Sequence, residues 1–149
     1  MDELNRVASF RYLHGVWDVE VRGSLIRIGH VDILSTDLGR FLGETKRVVV
    51  LAATLGIGVD VFLQRLMLTD ISKAFMVDKL ASKLIEEHVN EVQASMGIVG
   101  KRYSPGYGDF DIKHQKNILG MLYCEKIGLY MTESYMLTPS KSITAILKL

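Results

Sequence analysis

Residues 101–110 read KRYSPGYGDF, so a guanidinium, two phenol rings and a carboxylate share one short stretch with a Pro and two Gly. Arg102 can fork onto a carboxylate through two parallel hydrogen bonds, each stronger than a neutral one. Pro105 and Gly106 shape a turn whose bare backbone can approach a ligand closely. Tyr107 can stack on a flat ring or face a cation, an interaction worth about 0.5–2 kcal/mol. Together these parts suit a small zwitterionic or sulfonium-bearing ligand that carries an aromatic base. A purely structural turn uses the same residue types, and composition alone leaves both readings open.

Other motifs carry less. LGIGVDVF joins a strand-like run to a helix-like one, but Val61 stands where a dinucleotide loop needs its third Gly after Gly56 and Gly58. No βαβ context supports such a loop, so these glycines are assigned to close packing at a helix start. The histidines His14, His30, His88 and His114 show no metal-ligand spacing. His88 and Glu91 read as an ordinary solvated pair. No nucleophile elbow or Walker-type loop is present, and no metal is expected. Cys124 is the single cysteine, which excludes an intrachain disulfide and any Cys-based zinc cluster; among apolar neighbours it reads as a buried structural thiol.

The totals bound the class. The 149 residues suit one domain, 1–149, and 48% hydrophobic against 23% charged residues provide a substantial core. Lys and Arg number 18 against 17 Asp and Glu, and the signs are interspersed, so nucleic acid is set aside. MDELNRVASF lacks the basic and apolar regions of a signal peptide, and VVVLAATLGIGV is too short to span a bilayer. No membrane association is expected, and the cytoplasm is the expected location.

The elements that must position the loop follow from periodicity. Residues 10–30 are aromatic and β-branched, with turn signals at Gly15 and at Arg22-Gly23-Ser24, which predicts short antiparallel strands. In STDLGRFLGE, Ser35 or Thr36 can cap a short helix that presents Leu38, Phe41 and Leu42 and stops at Gly43. RVVVLAATLG is continuously apolar and predicts a central strand buried on both faces. From Val59 to about Met96 the pattern is helical, with Thr69-Asp70 capping a second helix. Its expected apolar stripe runs through Met76, Leu80, Leu84, Ile85, Val89 and Val92. DIKHQKNILGMLYCEKIG predicts one helix between Asp111 and Gly128, and LYMTES and SITAILKL predict two terminal strands joined by YMLTPSK. This order is no βαβ repeat, and it predicts an α+β domain with helices packed on a largely antiparallel sheet.

Three segments carry a family resemblance. RYSPGYGDF resembles the Arg-x-x-x-Gly-Tyr signature of the activation domain of cobalamin-dependent methionine synthase. IGLYMTESYMLTPSKSITAI is similar to the segment of that family in which Thr-Glu-Ser precedes an apolar stretch, a Pro and a Ser-rich strand. VVVLAATLGIGVD and DISKAFMVDKLASKLIEE resemble stretches of its small stand-alone relatives. The likeness covers roughly residues 10–146, with the motifs in order.

The resemblance implies an S-adenosylmethionine-binding domain that supports reductive remethylation of an oxidised cobalamin, the reactivation component of methionine synthase and of the methyltransferase class. Cobalamin would sit on a separate synthase module, and a flavodoxin-type donor would supply the electron. Carried over by residue, Arg102 would hold the methionine carboxylate, and the backbone around Ser104 and Gly106 would receive the adenosyl portion. Tyr107 would close the pocket, with Glu86 and Glu133 as acidic neighbours of the amino or sulfonium groups. Relative to the family domain the chain is expected to be truncated at both ends, without an acidic N-terminal contact and a later tyrosine-bearing segment. Phe110 also stands near the position of a family Cys. These departures keep a rival in view, a non-catalytic partner or chaperone of another corrinoid protein with a degenerate pocket. A blander alternative is a small homo-oligomer with a structural turn, for which the seven methionines and exposed strand edges would be suited.

Overall fold

The computed structural model describes residues 2–149. Helix α1 (Asp2–Val7) precedes three strands, β1 (Arg11–Arg22), β2 (Leu25–Ile28) and β3 (Val31–Leu34). Helix α2 (Thr36–Leu42) follows, with the Ser35 side chain accepting from the Leu38 amide and Gly43 closing the other end. Strand β4 (Arg47–Thr54) leads into α3 (Ile57–Thr69) and the long α4 (Ile71–Ser95), where Asp70 caps the second helix by accepting from the Lys73 amide. After the 101–110 loop come α5 (Gln115–Leu122) and strands β5 (Tyr130–Met131), β6 (Leu137–Thr138) and β7 (Ser142–Lys148).

The main sheet is antiparallel throughout, in the order β3-β2-β1-β4-β7, and β5 and β6 form a separate two-stranded ribbon. The α+β prediction stands. Strand β4 is buried at every position from Val48 to Thr54, as its continuous apolarity requires. Its side chains alternate between two cores. Val49, Leu51 and Ala53 meet α3 and α4, whereas Val48, Val50 and Ala52 meet Leu38, Leu42, Phe110 and Ile118 on the opposite face.

Several predicted elements are corrected. No turn forms at Gly15, because β1 runs unbroken from Arg11 to Arg22. The glycine there makes room for Trp17, since a Cβ would lie 2.7 Å from its ring atoms. The helix predicted between Asp111 and Gly128 is broken at Tyr123, whose φ of 54° is left-handed, and short 3-10 turns stand on either side of α5. LYMTES contributes only Tyr130 and Met131 to a strand, and these pair with Leu137 and Thr138 inside the expected turn. Strand β7 pairs instead with β4. Helix α4 buries Ala74, Val77, Ala81, Ile85, Val89 and Val92, while Met76 and Leu80 face solvent. Large apolar side chains marked the wrong edge of the stripe, since alanines permit the close approach of helix to sheet. Helix α1 and strand β3 were not anticipated.

Two local readings hold. Burial, helped by the Glu125 carboxylate, pushes the Cys124 thiol up to about 11, so it is an inert core group. At Gly58 a Cβ would meet the Val7 carbonyl oxygen at 2.5 Å, so the glycine lets α1 seat against the start of α3. Gly58→Ala adds helix propensity worth up to about 1 kcal/mol, but displacing backbone costs about 1–3 kcal/mol. The expected net outcome is a melting temperature lower by several degrees, read by circular dichroism; an unchanged midpoint would show that α1 moves freely.

Candidate functional site

The loop is held at both ends and through its middle. The backbones of Tyr103 and Ile146 exchange two hydrogen bonds of 3.0 and 2.7 Å, which adds one bridge to the free edge of β7. The Ser104 hydroxyl donates to the Thr144 carbonyl at 2.6 Å. Within the turn, the amides of Gly106 and Phe110 donate to the carbonyls of Phe110 and Tyr107. The Tyr103 ring stacks on Phe41 and meets Tyr107 edge-on, and Phe110 is fully enclosed in the core.

At the far end Asp109 reaches the start of α2. Its carboxylate accepts from the Ser35 hydroxyl at 2.5 Å and from the amides of Thr36 and Asp37 at 2.9 and 3.0 Å, while its own amide donates to Asp37. These are first-turn donors that a helix leaves unsatisfied. The Ser35 hydroxyl, then the Asp37 amide, hold the Asp109 carboxyl below its ordinary range. Burial, then the charges of Asp37 and Asp109, push the Tyr103 phenol up, so it stays neutral.

Arg102 enters from the other end. Its side chain is 16% exposed and its Nη2 meets the Glu86 carboxylate at 2.5 Å. Its Nη1 donates to Asn90 Oδ1 at 2.8 Å and Gln93 Oε1 at 3.0 Å. Gln93 in turn donates to the Gly100 carbonyl at 2.8 Å, which fixes the approach of the loop to α4. A guanidinium carries five N–H donors. Three are engaged here, so Nε and one Nη2 hydrogen remain without a protein acceptor among the described residues.

Arg102 lines an open cleft of about 470 Å³ between α4, the loop and β7. Of the residues named from sequence, Glu86, Arg102, Ser104 and Tyr107 share this cleft. Gly106, with φ of 96°, shapes the turn behind it and is not part of the lining. Glu133 lies apart, exposed on the turn between β5 and β6, and it makes no ion pair among the described residues. Sequence reasoning missed Asn90, Gln93, Gln115 and Thr144. The first two carried a signal, because Glu86, Asn90 and Gln93 recur at spacings of four and three and so form a polar face beside the apolar stripe. Gln115 and Thr144 meet only through the tertiary fold. No group of three or more His, Cys, Asp or Glu among the described residues is placed to hold a metal. None of the described helices is long and apolar enough to cross a membrane.

No family model matches the chain, and no curated protein matches it. The crystal structure of the MetH reactivation domain bound to AdoHcy does, with a TM-score of 0.72 at 18% sequence identity. The chain has the fold of that reactivation domain. The match covers 97% of this chain and 59% of the other, so the chain spans less than two thirds of that domain's length. The cleft and its Arg102 therefore belong to a reactivation-domain fold.

The Asp109 tether predicts a pH dependence. With its folded pKa depressed, its contribution is complete above the unfolded value of about 4 and is lost as pH falls through the folded one. Asp109→Asn should lower the melting temperature at neutral pH, and the gap from wild type should close as pH falls below about 4. A gap that is constant with pH would show that the charge does not matter.

Proposed function

We propose that this chain binds S-adenosylmethionine and supports the reductive remethylation of a cobalamin carried by a separate methionine synthase module or another corrinoid protein. The observation that carries the reading is the guanidinium of Arg102, which lines a cleft in a reactivation-domain fold with two of its five donors unmet among the described residues. Two adjacent N–H donors match the two oxygens of an α-carboxylate. Glu86, 55% exposed beside that guanidinium, would receive the α-ammonium or balance the sulfonium. Tyr107, half-exposed at the rim, offers a ring face to the base. Glu133 takes no part.

When bound, S-adenosylmethionine supplies the methyl group, and the cobalamin of the partner with an electron from a flavodoxin-type donor completes the chemistry. The work of this chain is to bind and orient the methyl donor, which converts a random encounter into a positioned one. The reactivation domain that this chain resembles in fold was crystallised with AdoHcy, the demethylated form of that donor. A degenerate pocket on a non-catalytic partner is the rival reading, favoured by the contact Glu86 already makes with Arg102.

Calorimetric titration separates the two. S-Adenosylhomocysteine should bind wild type, and Arg102→Ala should weaken it by about 1.5–3 kcal/mol, roughly ten- to a hundredfold. Arg102→Lys should recover little, because an ammonium cannot form the fork. Absence of heat in the wild type, with and without a cobalamin module, would defeat the proposal and favour the rival.

A further inference from the structure

Gln115 is the first residue of α5 and is 5% exposed, yet it lines the same cleft as Arg102. Its carboxamide oxygen accepts from the Thr144 hydroxyl. Thr144 is itself fixed, since it sits in β7 and its carbonyl receives the Ser104 hydroxyl. With its oxygen committed, Gln115 has a carboxamide nitrogen that donates to no protein group among the described residues. No described polar side-chain atom is both fully buried and without a partner, so this nitrogen keeps some accessible surface, and Gln115 lines the cleft. The wall thus presents a nearly buried, oriented group that can donate and cannot accept. Leaving such a donor unmet under a bound ligand is costly, so it selects for an acceptor.

The surroundings say which acceptor. Arg102 and Glu86 serve charged groups. The same cleft is lined by Leu137, an apolar surface suited to a flat ring, with Tyr107 at the rim. Ribose hydroxyls donate as well as accept, whereas unprotonated purine ring nitrogens only accept. We propose that Gln115 is the residue that selects the base, donating its carboxamide N–H to a ring nitrogen of adenine. This rests on the S-adenosyl reading above.

The test is a cycle of protein and ligand changes. S-Adenosylhomocysteine and its 1-deaza, 3-deaza and 7-deaza analogues, each replacing one ring nitrogen by C–H, are titrated into wild type and Gln115→Met. In wild type one analogue should bind about ten- to a hundredfold more weakly than the parent. Gln115→Met should weaken the parent by a similar factor and be indifferent to that same analogue, a coupling that general loosening of the wall would not produce. If the Met variant fails to fold, Gln115→Glu replaces it. Glu keeps an acceptor for Thr144 and turns a carboxylate oxygen to the cleft, so it should lose affinity for the parent and again be indifferent to the one analogue. Equal losses for every analogue in wild type and variant, or a variant that binds the parent as wild type does, would overturn the assignment while leaving the S-adenosyl reading intact. A wild type that binds none of the four compounds would overturn both.

Discussion

A strand buried along its length must be hydrogen-bonded on both edges and covered by apolar side chains on both faces. From Val48 to Thr54, β4 imposes that condition, and the rest of the chain meets it. β1 and β7 take its edges, α3 and α4 cover one face, and α2, α5 and Phe110 cover the other. Small residues on α4 draw that helix close, which brings its polar flank beside β7. The cleft lies along this seam, so the geometry of the site is inherited from the burial of a strand that contributes nothing to its lining.

The polar arrangement on that seam follows a different rule. A largely buried guanidinium needs a counter-charge and acceptors, and α4 supplies Glu86, Asn90 and Gln93 from one face. Among the described residues this leaves two of its donors unmet. Meanwhile the loop backbone is anchored by the amides of Tyr103, Gly106, Tyr107, Asp109 and Phe110, which bond within the turn, to β7 and to α2. Rigid backbone and unfinished side-chain bonding together are what a preorganised binding site requires, because little ordering remains to be done when a ligand arrives.

Much of this was legible in the sequence. Continuous apolarity identified β4, Ser35 and Asp70 announced helix starts, and the Arg-x-x-x-Gly-Tyr spacing marked the loop before any coordinates did. What escaped has physical causes. Gly15 read as a turn because a glycine serving a neighbouring indole looks, in one dimension, like a glycine serving the backbone. The stripe of α4 was misplaced because its burial rests on alanines as much as on larger residues. Tyr123 adopts a left-handed conformation that its residue type does not announce. Gln115 and Thr144 gain meaning only from each other, across 29 positions.

The contacts of the site differ widely in sequence separation, and this orders them in time. Arg102 meets Glu86, Asn90 and Gln93 at separations of 16, 12 and 9 residues, short enough to form as soon as α4 and the loop exist. Asp109 must find Ser35 across 74 residues, and Ser104 must wait 40 residues for Thr144. Closing short loops is faster than closing long ones, and the chain emerges from its N-terminal side during synthesis. The Arg102 end of the cleft is therefore assembled early. The wall that holds Gln115 in register is assembled late, when β7 docks on β4. On this order of contacts a nascent chain owns half a cleft first, with the Arg102 cluster formed and the Gln115 wall still to come.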